Sequence, residues 1–422
     1  MACIPERLPV FAKGGVTKFT ELEDAPKSYT GQAGKAVKVK TTEDGLEFGT
    51  AGVTKFTELS DVPSSYTGQA GKALLVKTTE DGLEFGTAGG GRRTATKIVA
   101  ANDSLDKSLA DYVCDGTDDQ EEINAAINAL PTSGGRVLLL EGTYNISAPI
   151  TILKNNVTLE GQGAGTKLFL VNGADCDVID IGNGLTALEG IKIANLRIDG
   201  NKANQTEEHE GIYFWGESNY LIIKSIIENC IVENVSDYGI FLYYSNNNTI
   251  IGNQSNSNAY DGIFLSNSNN NTVIGNQANS NGDIGIDIEQ ANNNIIIGNQ
   301  INSNASDGIY FISSSNNTIS GNQINSNGNN GILLVSATNT TIIGNQINSN
   351  ASDGIYFSDS DNNTIIGNRC QGNAGYGINI SDSPSAYNLV AKNYLTGNTT
   401  GSLNDAGTGT IKAASTTNDN VV

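Results

Sequence analysis

The 422-residue chain carries 24 Lys and Arg against 45 Asp and Glu, a formal charge of −21, with a single histidine. That balance argues against nucleic acid and anionic membrane surfaces as partners, because too few cations are available to neutralise phosphates. Seven prolines exclude a collagen-like or Pro-rich fibre, and five scattered cysteines without a CxxC (Cys3, Cys114, Cys176, Cys230, Cys370) exclude a disulfide framework and a thiolate zinc site.

The first residues, MACIPERLPVFAKGG, lack the apolar core of a signal peptide, and no later run approaches the ~18 apolar residues of a membrane span. The expectation is a soluble protein made in the cytoplasm. A tandem pair follows: GVTKFTELEDAPKSYTGQAGKAVKVKTTEDGLEFGTAG from Gly15 and GVTKFTELSDVPSSYTGQAGKALLVKTTEDGLEFGTAG from Gly52. Thr17 matches Thr54, Phe19 matches Phe56 and Phe48 matches Phe85. Units this small bury too little to stand singly, so residues 1–91 are expected to form an extended stalk held by chain–chain contact. Gly89-Gly90-Gly91 closes it as a flexible break.

Residues 92–134 read as a linker and a short helix, with Asp118 or Asp119 as its N-cap and Ile123, Ala126, Ile127 and Leu130 as its apolar face. Beyond it a second repeat takes over. Gly-Ile recurs at 239, 262, 285, 308, 331, 354 and 377, Gly-Asn at 252, 275, 298, 321, 344 and 367, and a further Asn at 258, 281, 304, 327, 350 and 373. A typical unit, DGIFLSNSNNNTVIGNQANSNGD, alternates apolar residues with period 2 between polar turns. Identical residues returning at this interval mean one coil stacked on the next, a parallel β-solenoid with coils ~4.8 Å apart. The Ile240 to Ile378 row should face inward. The Asn253 to Asn368 row should stack as an amide ladder that satisfies buried polar groups. The fold class is therefore all-β, a right-handed single-stranded parallel β-helix over 135–400, with 401–422 as a C-terminal tail.

The segment DGTDDQEEINAAINALPTSGGRVLLLEGTY from Asp115, with Gly134-Gly135, Val137 to Leu140 and Gly142-Thr143-Tyr144, resembles the start of the pectate-lyase-like (pectin-lyase-like) family. The resemblance covers about residues 95–400 and implies a helix capping the open end of the β-helix. The N-terminal pair resembles repeats of bacteriophage tail fibres and tailspikes. Together they imply a virion tail protein, a homotrimer attached to the phage tail or baseplate through its N-terminal region. They also imply a host surface polysaccharide as partner, bound and in many members depolymerised. The implied alternatives are a non-catalytic adhesin or structural tail protein, and a mannuronan-epimerase-like or other polysaccharide-modifying enzyme. A periplasmic β-helix like the copper-site maturation proteins, which share NNTIIGN repeats, fits less well without a signal peptide.

With the coils aligned at Gly-Ile, the residue after Ile points outward, as does the one two further on. This makes a strip of Tyr213, Trp215, Phe241, Tyr243, Phe264, Tyr310 and Tyr356 along the axis. Exposed aromatics of this kind serve sugar binding or a subunit interface. Asp287 and Glu289 interrupt the strip at i and i+2, about 7 Å apart by strand rise, inside the roughly 6.5–9.5 Å window of an inverting glycosidase pair. Asp261 and Asp307 precede the neighbouring Gly-Ile steps and either join the pair or, with Asp353, cap one recurring turn. His209 lies in the insertion DGNKANQTEEHEGIYFW, as a base raised by its acidic neighbours or as a plain loop residue. That insertion resembles the site region of mannuronan epimerases, although their Tyr-Gly-x-Asp-x-His pattern is absent. No cofactor is expected, with calcium the cation that would bridge a charged glycan to so acidic a chain.

Overall fold

In a computed structural model the chain divides into two compact units, 1–92 and 93–422. The structure describes residues 95–381 and 384–412, residues 27, 28 and 30, and four strands of the N-terminal unit. In that unit Ala36–Val39 pairs antiparallel with Leu46–Gly49, and Ala73–Val76 pairs in the same register with Leu83–Gly86. Each sequence repeat thus holds one hairpin. The matched pairs Thr17/Thr54 and Phe19/Phe56, Cys3 and the expected chain–chain contacts of the stalk lie outside the described residues.

The larger unit is a solenoid of three long parallel sheets, with a short fourth of three strands at Leu188–Glu189, Ile222–Ile223 and Ser245–Asn246. The first, built from the Gly-Ile strands, has 11 strands, from Ile150–Ile152 to Gly401–Asp405. The second has 14, from Tyr112–Val113 and Thr96–Ala100 to Ile411–Lys412, and the third has 11, from Gly142–Ile146 to Tyr394–Thr396. The solenoid is longer than the sequence period indicates. Thr96–Ala100 pairs with Gly135–Leu139, so the expected linker supplies the first strands, and two strands of the expected C-terminal tail close the other end.

The pleat explains which residues build the core. In the coil with Ile286–Glu289, Ile295–Ile297 and Gln300–Asn302, the side chains of Ile286, Ile288, Ile296 and Ile301 point inward and are fully buried. Each contributes about 1.5–3 kcal/mol of apolar burial. Stacking repeats this set on every coil, and Phe214, Phe311 and Phe357 widen it.

The corners are held by asparagine. Asn276 Oδ1 accepts from Asn253 N at 2.9 Å and from Asn253 Nδ2 at 3.0 Å, while Asn276 Nδ2 donates to Ile250 O and to Asn299 Oδ1. The same pattern continues through Asn299, Asn322, Asn345 and Asn368 to Asn393. A second such ladder runs from Asn258 to Asn398. Each ladder closes the backbone hydrogen bonds that a turn leaves open inside the protein. The two glycine rows have different causes. Gly252 and its equivalents are left-handed, with φ of 62–68° from 252 to 367. A Cβ at Gly308 would lie 2.6 Å from Gly331 O of the next coil, so only glycine lets the coils close there.

The helix Gln120–Asn128 caps the N-terminal end with Ile123, Ala126 and Ile127 buried. Asp119 stands at its N-cap, but its carboxylate does not bond the helix. It accepts instead from Gly116 N at 2.9 Å and from Asn145 N at 2.7 Å, tying the cap to the first coil. No described helix is long and apolar enough to cross a membrane.

Candidate functional site

Parallel register aligns the first outward position of the first sheet into one row along the axis: Asp180, Tyr213, Phe241, Phe264, Asp287, Tyr310, Leu333, Tyr356 and Asn379. The second outward position gives Trp215, Tyr243, Ser266, Glu289, Ile312, Val335 and Ser358. The aromatic strip expected from the sequence is therefore present, but its rings are turned differently from a set of sugar platforms. Tyr213 and Phe241 have centroids 5.0 Å apart and are 6° from parallel, and Phe241 and Phe264 are 4.7 Å apart and 5° from parallel. The rings repeat at the coil spacing and stack on one another, so the inner faces are already used. Trp215, parallel to Tyr213 at 6.2 Å and 39% exposed, is the most open ring of the row.

The strip carries carboxyl groups at both ends of the stacked rings. At the far end, Asp287 points away from the core yet is only 5% exposed, and Phe264 beside it only 8%. The solvated outer position expected for Asp287 is thus a closed one. Tyr238 leans on Phe264 at 4.9 Å and on Phe241 at 5.3 Å, and it lies within electrostatic reach of Asp261 and Asp287. Asp287 Oδ1 has no hydrogen-bond partner. Burial, then the nearby Asp261 and Glu289, hold its carboxyl well above the usual range. Glu289, half-buried in the second row, is raised by burial alone. Its neighbour Tyr310 stands in register with Asp287.

Asp261 and Asp307 are buried, and each carboxylate holds the next coil. Asp261 Oδ1 accepts from Ile284 N and Asp307 Oδ1 from Asn330 N, both at 2.8 Å, as Asp353 does from Tyr376 N. Asp177 does the same for Glu210 N at 2.9 Å. This recurring aspartate is a clamp at the turn into the first sheet. Asp261 also stands close enough to Asp287 to raise it.

At the near end of the rings a second cluster forms around His209. The insertion is tied down by Asp175, which accepts from Thr206 N, Thr206 Oγ1 and Glu207 N, and by Tyr260, whose hydroxyl donates to Glu208 at 2.6 Å. His209 Nδ1 lies 3.7 Å from Asp177 Oδ1, and its Nε2 is buried without a partner, as is Asp180 Oδ1. Burial, reinforced by Asp177, pushes Asp180 up to about 7. Burial, then Glu208 and Asp177, pushes Asp237 to about 7. Glu210 is raised by burial and by its hydrogen bond to Asp177. Of this cluster the sequence points to His209, Tyr213 and Trp215 but not to Asp177, Asp180 and Asp237. The signal was the Asp180-Ile181 step aligned with Tyr213-Phe214, hidden because the insertion breaks the repeat interval.

A family model described as "Right handed beta helix region" matches residues 144–282 and 185–347. The larger unit is a right-handed parallel β-helix. A second model, "Periplasmic copper-binding protein (NosD)", matches residues 303–419. Among solved structures, the A-module of the mannuronan C-5 epimerase AlgE4 from Azotobacter vinelandii is similar at TM-score 0.58 and 22% identity, covering 71% of this chain and 97% of that one. ORF18 of Geobacillus virus E2 is similar at TM-score 0.55 and 17% identity, covering 82% and 67%. The Dettilon tailspike protein gp208 is similar at 0.54 and 17%, covering 71% and 66%. At these identities the likeness is one of fold. No curated protein sequence matches the chain. Copper is poorly served by the β-helix matched to the second model. Residues 303–419 contain no His and no Met, and their one cysteine, Cys370, is fully buried in the apolar core.

Proposed function

We propose that this chain binds a host cell-surface polysaccharide along the first sheet of its β-helix and cuts it by glycoside hydrolysis, as a homotrimeric tailspike or tail fibre joined to the phage tail by residues 1–91. The observation that carries this reading is the row Asp180–Tyr213–Phe241–Phe264–Asp287. It is a rigid aromatic ridge with carboxyl groups of raised proton affinity at both ends, on the only face of the regular coils that collects acidic side chains. Asp287, whose burial favours the protonated carboxyl, and the more accessible Glu289 supply an acid and a base of unlike environment, the condition for dividing the two roles. Glu289 meets the sugar directly, while Asp287 is nearly closed off from solvent. A neutral or lightly charged glycan suits the excess of carboxylates. Calcium bridging extends this to an acidic one.

A second reading is favoured by the His209 end. There His209 Nε2 and an Asp180 oxygen are both buried without partners, and Asp180 lies within electrostatic reach of the Tyr213 phenol. That set supplies a proton acceptor and donor for abstraction next to a uronate carboxyl, the chemistry of elimination or epimerisation. Incubation with host capsular or exopolysaccharide separates the readings. New reducing ends without unsaturation mark a hydrolase, unsaturated uronate absorbance a lyase, and inverted C-5 without cleavage an epimerase. Binding without product marks an adhesin.

A further inference from the structure

We infer that the coil edge beside Trp215 is a binding site for a quaternary ammonium group of the choline type, with Trp215, Tyr220, Tyr243 and Tyr244 around it and Glu217 as its counter-charge. The site stands whether or not the chain cuts a glycan. An insertion builds it. Ile212, Ile222 and Ile226 are the register partners of Ile240, Ser245 and Thr249, so this coil holds five more residues than the next, all of them between Trp215 and Ile222. They make one tight turn, in which Tyr220 N donates to Glu217 O at 2.8 Å and Glu217 N to Tyr220 O at 3.2 Å. Both ends of the turn rest on the next coil: Gly216 N donates to Tyr243 O at 2.9 Å and Ile222 N to Tyr244 O at 3.4 Å. A Cβ at Gly216 would lie 2.4 Å from Tyr244 O, so the turn stands directly against Tyr243 and Tyr244. On the preceding coil, a Cβ at Gly184 would come within 2.9 Å of Glu217 Cγ and 3.2 Å of Trp215 Nε1. The Glu217 side chain and the indole N–H therefore flank one glycine.

The rings gathered here are open. Trp215 and Tyr220 are 39% and 42% exposed. Tyr243 follows Trp215 in register, Tyr244 meets Tyr243 edge to face with centroids 4.7 Å apart, and Tyr243 lies within electrostatic reach of Glu217. Tyr244 is also held at a cost to the backbone. Its φ is 46°, and the same left-handed position in the following coils is taken by Asn267, Gln290, Ser313, Ser336 and Asp359. A bulky aromatic residue is disfavoured there, and a coil that needed only its turn would carry a short polar side chain. Among the described residues no cation pairs with the Glu217 carboxylate. The nearest lysine along the chain, Lys224, is held by Glu189 at 2.9 Å, and no Lys or Arg follows until Arg369. Ring faces and one unpaired carboxylate in so acidic a chain attract positive charge. A divalent metal takes about six or more oxygen ligands and meets one carboxylate here. A primary ammonium is strongly hydrated and would exchange its water for that single carboxylate. A quaternary ammonium has no N–H to satisfy and lays its methyl groups on ring faces, which is what this edge offers.

Trp215 is the one tryptophan of the chain, so intrinsic fluorescence of the full-length protein reads this site alone. Titration at constant ionic strength with choline chloride, and separately with phosphocholine, should give a saturable change, and the tighter of the two tells a free solute from a phosphocholine substituent. The uncharged carbon isostere of choline, dimethylbutanol, should bind about tenfold more weakly or not at all. Glu217→Gln should raise the Kd for choline about tenfold while leaving the circular dichroism spectrum unchanged. Tyr244→Asn matches the residue of the next coil, so it should raise that Kd about threefold or more with a melting temperature equal to or above the parent's. A strictly linear response to both choline and phosphocholine overturns the inference. So does dimethylbutanol saturating as tightly as choline, or a Glu217→Gln protein that binds choline as the parent does. Because the probes are small solutes, these outcomes are independent of whether the protein releases reducing ends from a polysaccharide.

Discussion

Phe264 and Asp287 are register partners on adjacent coils, both directed away from the core and both buried. An outward carboxyl next to a phenylalanine would be solvated on an open sheet. Here the Tyr238 ring rests on Phe264 and the neighbouring carboxyls crowd the space, so Asp287 gains proton affinity from desolvation first and from Asp261 and Glu289 next.

Asp287→Asn keeps the shape and removes the charge. The variant is expected to fold with a melting temperature at pH 8 equal to or above that of the parent, because a buried group that resists ionisation no longer has to ionise or hold its proton. Glu289→Gln, at a half-buried site, should shift it less. Thermal melts followed by circular dichroism at pH 8 check both, and a marked drop for Asp287→Asn would show that the carboxylate is needed for folding.

The stacked rings make a second distinction. Trp215→Ala removes the most open ring and should weaken glycan binding by ~1 kcal/mol, the scale of one stacking contact, with little loss of stability. Phe241→Ala removes a ring between Tyr213 and Phe264 and should lower stability through two lost ring pairs, about 0.5–1.5 kcal/mol each. Calorimetric binding and denaturant unfolding of the two variants separate a binding ring from a structural one.

Acidity should act on the whole domain. Asp180 and Asp237 have folded-state pKa values of about 7, above the usual carboxylate range, so between pH 4 and 7 the folded protein binds more protons than the unfolded chain. The stability contributed by these two groups therefore falls as pH rises through that window and levels off above it. Asp287, Asp261 and Glu210 act in the same direction. The melting temperature should be higher at pH 5 than at pH 8. A melting temperature that rises across that range would contradict the assignment of these groups.

Asn299→Ala tests the corners. Its carboxamide accepts from Asn276 N and Nδ2 and donates to Val273 O and Asn322 Oδ1, all buried. Truncation leaves a buried amide without an acceptor and should cost about 2–4 kcal/mol, one to two such unsatisfied groups. Asn302→Ala, on an outer, part-buried ladder with Asn279 and Asn325 where water replaces the partner, should cost less than about 1 kcal/mol. Urea unfolding of the two proteins measures the difference.

The solenoid was legible because its physics repeats. Gly-Ile and Gly-Asn mark places where backbone approach and a left-handed turn exclude other residues, and Asn253 and its equivalents mark corners that need a side-chain donor and acceptor. The irregular coils were not legible in the same way. Asp180 stands in register with Tyr213 only because the loop around His209 is accommodated outside the coil, and no fixed interval reveals that. Burial of outward residues was also hidden. Periodicity gives the direction of Asp287 and Phe264, while the cover of Phe264 comes from Tyr238, at a position where the next five coils carry Asp, Ile or Asn.

The central claim is that the first sheet is where a polysaccharide is held and cut. The most direct measurement is a reducing-end time course on host surface polysaccharide with the parent protein and with Asp287→Asn/Glu289→Gln, alongside co-sedimentation of each with the polysaccharide. The account predicts release of new reducing ends by the parent, a loss of about 10²-fold or more in the double variant, and retained co-sedimentation by both. Unchanged cleavage by the double variant, or a parent protein that neither binds nor cuts the polysaccharide, would contradict it.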